Sequence, residues 1–169
     1  MIEIRAATLE DAPALWRAEV ETASVPGQLV SRPHELTLPA FEQRIEELRH
    51  SGSYVVAADA GVLCGHALLE PMSLDALRHI FRLTLVVHAR QTGRGVGTAL
   101  LRHLQRWAAS SDDLHKVELL VRANNSRALQ LYGRLGFIEE GRLRDRIRLP
   151  DGSFLDDIAM AWFPRAAPG

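Results

Sequence analysis

The junction between a strand and a helix at residues 83–101 constrains the fold of this chain more than any other stretch. An apolar, β-branched run from Leu83 to Val87 predicts a buried strand. Apolar residues then recur at three- and four-residue spacing from Val96 to Trp107, which predicts an amphipathic helix. Glycines between the two elements let the backbone turn sharply and approach a ligand closely. They stand at alternate positions, Gly93, Gly95 and Gly97.

This junction is suited to bind phosphate. The first amides of a helix have no partner inside it, and they lie at the positive end of its dipole. Arg90 and Arg94 add cationic charge. A turn that binds nothing is the alternative. A P-loop is excluded because Thr98 follows Gly97 where lysine is required, and the dinucleotide fingerprint is excluded by its different glycine spacing.

The bulk properties narrow the class of protein. A chain of 169 residues predicts one domain, at residues 1–163, with a loose tail at 164–169. The formal net charge of −1 gives no field that would attract nucleic acid or an anionic membrane. A single cysteine, Cys64, excludes an intrachain disulfide and a cysteine-rich metal site. No apolar run is long enough to span a bilayer, so we expect a soluble, cytoplasmic protein without a metal.

The hydrophobic periods predict an α/β (α+β) fold, a mixed sheet with helices on its faces, in the order β-α-α-β-β-β-α-β-α-β-β. Strands are expected at residues 2–6, 54–58, 63–70, 79–87, 116–121, 137–148 and 153–163. Helices are expected after Thr8, at 39–50, from the glycines to about 109, and after Asn125. Residues 21–35 form a long loop with no clear period, and such loops are often functional.

A second motif lies at residues 125–137, with the pattern Asn-x-x-Ala-x-x-Leu-Tyr-x-x-x-Gly-Phe. Physical reasoning alone makes Asn125 a helix N-cap and Gly136 a helix stop. Together with the run from Thr92 to Gly97, this motif resembles the GNAT superfamily of N-acetyltransferases. The resemblance covers nearly the whole chain and departs from the usual pattern at Thr92, where Arg or Gln is common.

The resemblance implies a mostly antiparallel sheet in which the strands ending near Val87 and Val121 splay apart, so that acetyl-CoA enters between them. It implies that Tyr132 donates a proton to the departing thiolate and that Asn125 contacts the pantetheine arm. Backbone of Val86 or Val87 would meet the thioester carbonyl. The full set of implied cofactor-binding residues is Leu85, Val86, Val87, Thr92, Gly93, Arg94, Gly95, Val96, Gly97, Thr98, Asn125 and Tyr132.

The general base is less defined by the sequence. Superfamily members often use a glutamate on a central strand, frequently through water. Glu70 and His79 are the first candidates here, with solvent-facing polar residues as the alternative. His34 lies in the long loop, where it could belong to an acceptor pocket, and His88 follows a strand end. A water chain without a dedicated base is a further alternative.

The ending around Gly141–Asp156 resembles the bacterial branch that contains L-amino acid N-acetyltransferases. Arg142, Arg144 or Arg146 could hold a carboxylate, or could belong to a solvated hairpin. The expected function is transfer of acetyl from acetyl-CoA to the primary amine of a small metabolite, such as an amino acid, by direct attack in a ternary complex. The alternatives are acetylation of a protein N-terminus or lysine, and a non-catalytic acyl-CoA sensor. No nucleic-acid or membrane partner is expected, and a homodimer is the expected assembly.

Overall fold

The computed structural model describes residues 1–165. Most of the expected tail therefore lies outside the described residues. Of the tail residues that are described, Arg165 donates a hydrogen bond of 3.2 Å to the carbonyl of Asp112.

Within residues 1–165, seven strands and four α-helices follow one another in the order that the hydrophobic periods predict. The strands are β1 (Ile2–Ala6), β2 (Ser53–Asp59), β3 (Val62–Pro71), β4 (Ile80–Val87), β5 (Lys116–Arg122), β6 (Ile138–Arg148) and β7 (Phe154–Trp162). The helices are α1 (Ala12–Ala23), α2 (Leu38–Ser51), α3 (Val96–Ala109) and α4 (Ser126–Arg134). The predicted order is confirmed.

The strands form one sheet in the order β1-β2-β3-β4-β5-β7-β6. The β4–β5 pair is parallel, and the other five pairs of the described sheet are antiparallel. A hairpin can join antiparallel neighbours, whereas the parallel pair needs the crossover through α3. The expected mixed, mostly antiparallel sheet is confirmed.

The parallel pair is joined along only part of its length. Residues 80–82 of β4 pair with residues 116–118 of β5, but β4 continues to Val87 and β5 to Arg122 without further pairing. The two strands thus splay apart toward the end of β4 that leads into the glycines. The splay that the resemblance implied is present.

Each face of the sheet has its own core. Successive residues of a strand point to opposite faces: Val55 and Ala57 of β2 pack with α3, whereas Tyr54 and Val56 pack with α1 and α2. The buried face of α3 consists of Val96, Leu100, Leu101, Leu104 and Ala108. Helices α1 and α2 contribute Leu15, Phe41, Ile45 and Leu48. The described residues include no helix with the length and apolarity needed to cross a membrane.

A capping side chain and a glycine mark the two ends of α4. The side chain of Asn125 accepts a hydrogen bond of 3.1 Å from the amide of Ala128, and Gly136 adopts φ 87° just beyond α4. Helix α1 starts later than Thr8 because a 3-10 turn, Leu9–Asp11, precedes it. At that turn the amide of Thr8 donates to Asp11 over 2.9 Å. The Arg5 guanidinium, opposed by burial, keeps the pKa of Asp11 below its ordinary value.

Candidate active site

A cleft of about 1410 Å³ occupies the space opened by the splayed strands. The glycine junction and α4 wall one end of it. The other end is walled by residues from 22 to 37, by α2 and by the β6–β7 hairpin. The predicted long loop therefore borders the cleft. In the structure α1 continues to Ala23 and a 3-10 helix forms at Pro33–Glu35, so the loop is shorter than the predicted residues 21–35. Long loops inside compact domains are often functional, and this one borders the cleft.

The glycine junction presents a row of free amides. Gly93 and Gly95 adopt φ 83° and 82°, a left-handed conformation that side chains disfavour. Within residues 1–165, no backbone acceptor is paired with the amides of residues 93–98, and the first helical bond runs from Ala99 to Gly95 over 3.0 Å. A Cβ added at Gly95 would meet no atom within 4 Å. Donors, open space and the helix dipole together fit the diphosphate of coenzyme A.

The other two glycines allow close packing around this row. A Cβ on Gly97 would lie 3.1 Å from Cδ2 of Leu131, so α3 approaches α4 closely only without a side chain there. A Cβ on Gly93 would lie 3.1 Å from Nη2 of Arg127. Arg127 stands in the first turn of α4 and lines the cleft. Sequence reasoning missed this cation, although it falls inside the second motif.

Arg94 does not line the cleft. Its guanidinium donates to the side chains of Asp59 and Gln91 instead. The Met1 ammonium and Arg94 together hold the pKa of Asp59 below its ordinary value. The guanidinium of Arg94 is thus already paired with a carboxylate. The remaining predicted cofactor residues all line the cleft: Leu85, Val86, Val87, Thr92, Gly93, Gly95, Val96, Gly97, Thr98, Asn125 and Tyr132.

Tyr132 lies at the base of the cleft with only 7% of its surface exposed. Its ring packs against Phe137 at a centroid distance of 5.6 Å. Burial raises the pKa of Tyr132 to about 12, so the phenol keeps its proton at neutral pH. No buried side-chain oxygen of the described chain lacks a partner, and this hydroxyl makes no hydrogen bond there. The hydroxyl must therefore be open to the cleft.

Asn125 also lines the cleft, but its side-chain oxygen is already used as the cap of α4. Oδ1 accepts from Ala128, so the amide NH₂ group is the part that remains for a ligand. A single residue can thus fix the start of α4 and offer a donor to the cleft.

The structure does not bring Glu70 and His79 to this cleft. Glu70 stands opposite Arg82, near the end of β3. His79 is exposed just before β4, with its ring 6.0 Å from that of His115. His79 is thus a full strand of eight residues from the glycine end of β4, or about 25 Å at the usual rise. His34 is exposed on the 22–37 segment and also lies outside the cleft wall.

Four other glutamates line the cleft, and sequence reasoning assigned none of them to the site: Glu19 of α1, Glu35 of the 22–37 segment, Glu118 of β5 and Glu140 of β6. Lys116 lies 3.6 Å from Glu118 and 2.7 Å from Glu140, so it partly neutralises both carboxylates. Alternation along β5 places Glu118 on the face opposite Val117 and Leu119. The sequence contained this alternation, but only the packed sheet shows that this face borders the cleft.

Glu19 belongs to a chain of buried polar groups. Its Oε1 lies 2.6 Å from Nε2 of His66, which is 0% exposed. Nδ1 of His66 lies 3.4 Å from Nε2 of His88, and Nδ1 of His88 lies 3.2 Å from the carbonyl of Leu63. Burial and the neighbouring His66 lower the pKa of His88.

The arginines in and beside the cleft fall into two groups. Arg122 is paired with Asp157 at 2.6 Å, and Arg142 is paired with Asp156 at 2.6 Å. By contrast, five arginines that line the cleft have no carboxylate partner among residues 1–165; they are Arg44, Arg82, Arg127, Arg134 and Arg146. Arg127 and Arg134 belong to α4, beside the glycine junction, and the other three come from α2, β4 and β6. Of the hairpin arginines named from the sequence, Arg146 alone is part of the described wall. In the described part of the chain, no three His, Cys, Asp or Glu residues are grouped to hold a metal.

Known proteins resemble the chain in sequence and in structure. L-amino acid N-acetyltransferase AaaT of Escherichia coli is 27% identical over 107 residues, which is 63% of this chain and 65% of that protein. The chain thus spans slightly less than two thirds of this curated relative. The ribosomal-protein-alanine N-acetyltransferase of Brucella melitensis superposes with a TM-score of 0.86 at 26% identity, covering 95% of this chain and 99% of that one.

A third relative shares the fold at lower identity. The protein yncA of Salmonella typhimurium, solved with its cofactor acetyl-CoA, has a TM-score of 0.86 at 20% identity and covers 100% of this chain and 98% of that one. The model of the Acetyltransferase (GNAT) family matches residues 14–137, from α1 to the end of the second motif. That match contains the glycine junction, the splayed strands and Tyr132. The chain therefore belongs to the GNAT acetyltransferase family.

Proposed function

We propose that this protein is an N-acetyltransferase that uses acetyl-CoA to acetylate the primary amine of a small metabolite that also carries a carboxylate, with an amino acid as the model acceptor. One observation supports it above the others: Gly93 and residues 95–98, whose amides are unpaired, line the same cleft as Tyr132. A diphosphate on those amides would place the rest of a long thioester carrier along the gap between β4 and β5.

The residues of this cleft would hold the cofactor at three points. The amides of residues 93–98 and the guanidinium of Arg127 would hold the diphosphate. The free edge of β4 near Val86 and Val87 would hold the pantetheine arm by main-chain hydrogen bonds. Acetyl-CoA supplies the activated thioester. The chain then orients it beside the amine, and such positioning supplies much of the rate in two-substrate reactions.

Tyr132 is the group that we assign to protonate the leaving thiolate. Its phenol keeps its proton at neutral pH, and the phenol opens to the cleft from a buried ring whose position is fixed by Phe137. A proton donor at this point would make the thiol a better leaving group. The NH₂ group of Asn125 would contact the pantetheine arm from the neighbouring helix start.

The arginines at the other end favour an acceptor with a carboxylate. Arg44, Arg82 and Arg146 come from three different elements and line one cleft without carboxylate partners in the described chain. Arginine can hold a carboxylate through two parallel hydrogen bonds. The Escherichia coli relative is named for L-amino acids, whose carboxylate and amine would suit these arginines and the nearby glutamates.

The test is thiol release from acetyl-CoA over a panel of amino acids, each paired with its own primary amide. At least one amino acid should react above background, and its amide should lose at least about 10-fold in kcat/KM because the carboxylate is missing. Equal kcat/KM values for an amino acid and its amide would show that the arginines do not recognise the acceptor. Acetyl-CoA binding without turnover of any acceptor would favour the sensor alternative.

A second acceptor class is supported by the Brucella melitensis structure, which is named for the alanine terminus of a ribosomal protein. Short peptides that begin with alanine therefore belong in the same panel. Turnover of such peptides, with none for free amino acids, would replace the small-metabolite proposal by a protein N-terminal acetyltransferase.

A further inference from the structure

A hydrogen-bonded series of four groups runs from Glu19 through His66 and His88 to the Leu63 carbonyl, and the roles assigned above do not use it. It has three links, and an acceptor stands at each end: a carboxylate oxygen and a main-chain carbonyl. Each link needs one hydrogen between its two heavy atoms. The protonation state of the whole chain can therefore be derived by following the hydrogens from one end.

The carbonyl end fixes the first proton. Because the Leu63 carbonyl only accepts, Nδ1 of His88 must carry hydrogen. Burial lowers the pKa of His88, so His88 is neutral and has a lone pair on Nε2. Nδ1 of His66 must then carry the hydrogen of the 3.4 Å link. A neutral His66 would in turn face the Glu19 oxygen, 2.6 Å away, with a lone pair. Two acceptors at that distance repel each other. The hydrogen-bonded series must therefore contain one proton more than two neutral imidazoles supply.

That extra proton belongs to the link between His66 and Glu19. In water imidazole is more basic than a carboxylate by about two pK units. The imidazolium–carboxylate arrangement also forms a charge-assisted hydrogen bond, whose usual length matches the 2.6 Å separation. A doubly protonated His66 agrees with the lowered pKa of His88, which lies beside it. The charge of His66 is buried but paired, as buried charges must be.

Other charged groups surround the pair. Tyr54 of β2 packs its ring 5.8 Å from that of His66, and the charge of Glu19 helps burial to raise the pKa of Tyr54. Arg44 of α2 acts in the opposite direction on Tyr54, and Asp11 in the same direction as Glu19. Glu21, the next acid of α1, acts on His88. Glu19 is the acid among these that both binds His66 and lines the cleft.

The second oxygen of Glu19 is available to a ligand. It makes no hydrogen bond in the described chain, and no buried side-chain oxygen there lacks a partner, so Oε2 is open to solvent. The side chain is 14% exposed and borders the cleft. His66 stands opposite Val86 across the β3–β4 pair. Val86 is at the splayed end of β4, so the carboxylate is one strand away from the expected position of the thioester.

We propose that Glu19 is the proton acceptor for the attacking amine, and that His66, doubly protonated and oriented by His88, is a positioning residue that keeps this carboxylate ionised and directed at the cleft. The inference rests on the proposed function for its catalytic part. The protonation of His66 stands on the hydrogen-bond geometry and can be tested without any acceptor.

The proton balance of the step is complete. An ammonium acceptor loses two protons in becoming an amide: the first gives the free amine, and the second leaves as the C–N bond forms and the C–S bond breaks. Both protons of the acceptor leave through Oε2 of Glu19, one before the attack and one as the C–N bond forms, and each passes on to water in the cleft. Tyr132 gives its own proton to the thiolate and regains one from solvent, so one proton is released overall. The proton on the far side of His66 ends at a carbonyl, so the histidines orient Glu19 and do not conduct protons away.

The first experiment measures the ring nitrogens of the histidines by long-range ¹H–¹⁵N NMR on the full chain, with His66→Asn to assign the signal. Both nitrogens of His66 should carry protons, because Nε2 donates to Glu19 and Nδ1 donates to His88. In Glu19→Gln the amide can donate to Nε2, so His66 should become neutral with its proton on Nδ1. Glu21→Gln removes a nearby exposed charge of the same helix and should leave the His66 signals unchanged.

The second experiment follows turnover of the best acceptor against pH. Glu19→Gln should lose at least about 100-fold in kcat near pH 7, with little change in acetyl-CoA affinity. The deficit should shrink as pH approaches the pKa of the acceptor amine, because the free amine then needs less help. A variant that merely disturbs packing would lose activity equally at all pH values.

Different outcomes would overturn different parts of the proposal. A neutral His66 in the wild-type protein would refute the proton count, whether or not any acceptor is found. A Glu19→Gln enzyme with the wild-type pH profile would refute the role as proton acceptor. If no acceptor reacts with the wild-type protein while His66 is doubly protonated, the proposed function fails, and the role of Glu19 as proton acceptor fails with it.

Discussion

At the scale of single residues, Tyr132 connects the second motif with the chemistry of the cleft. Its side chain is buried, its hydroxyl opens to the cleft, and burial raises its pKa to about 12. A phenol in this state can donate a proton across the whole neutral range. The neutral phenol is a poor base, so the burial of Tyr132 favours proton donation over proton acceptance.

Replacing Tyr132 by phenylalanine tests this assignment. Turnover should fall by about 100-fold, in the range expected for loss of a general acid. Acetyl-CoA affinity, measured by calorimetry, should change little because the ring and its contact with Phe137 remain. The wild-type rate should also show no alkaline loss up to about pH 10, since the raised pKa keeps Tyr132 protonated there. Unchanged turnover in the variant would assign the proton to solvent instead.

Sequence reasoning reached some of these residues and not others, for a physical reason. Tyr132 and Asn125 lie within one local motif, so their spacing along a helix could be interpreted directly. Glu19, His66 and His88 are separated by 47 and 22 residues, and only helix packing and strand register bring them together. Glu70 fitted the expectation of an acid on a central strand, but the splay opens at the other end of the sheet.

At the scale of secondary-structure elements, the start of α3 was the most predictable part of the site. Glycines, a preceding apolar strand and a following amphipathic helix are all local signals, and the structure places the amides as that pattern indicates. The bounds of helices and strands were also close to those expected, because caps and turns mark them. The 3-10 turn before α1 was missed, since Thr8 and Asp11 could equally begin an α-helix directly.

The change Gly95→Glu tests the start of α3 as an anion site. A side chain and a carboxylate would occupy the open space beside the amides and repel a diphosphate. We expect the dissociation constant for coenzyme A to rise at least about 100-fold, because charge repulsion adds to the lost amide contacts. Calorimetry measures the constant, and circular dichroism reports whether the fold is retained.

Gly152→Glu is the matched control for that change. Gly152 has φ 87° and also has no atom within 4 Å of an added Cβ, but it lies in the β6–β7 turn outside the cleft. Both variants therefore carry the same backbone strain, about 1–2 kcal/mol, and the same added charge. If the two bind coenzyme A equally well, the amides of α3 are not the site.

At the scale of the whole molecule, the partial pairing of β4 with β5 determines where a ligand can enter. The end of β4 keeps β3 on one side and has no strand on the other. Its outward amides and carbonyls therefore lack strand partners in the middle of the domain. Buried main-chain groups require partners, so this edge must be met by water or by a ligand.

Hydrogen exchange should reveal that edge. Peptides covering residues 83–87 should exchange faster than peptides covering residues 55–58 of β2, which is paired with β1 and β3. Saturating coenzyme A should slow exchange at residues 83–87, because a bound pantetheine arm would occupy the gap. The β2 peptides are the internal control. Binding of coenzyme A without protection at residues 83–87 would place the arm outside the gap.

The separate origins of the two cleft ends have a consequence for protein engineering. The residues assigned to the cofactor lie in one continuous stretch of chain, residues 85–132, whereas most of the rest of the cleft wall comes from the first third of the chain and from the last hairpin. Exchanging residues 22–37 or the β6–β7 hairpin for those of a relative should thus change which amines react. The residues assigned to the cofactor would stay unchanged. The domain thus combines a constant cofactor site with an acceptor site that can be exchanged separately.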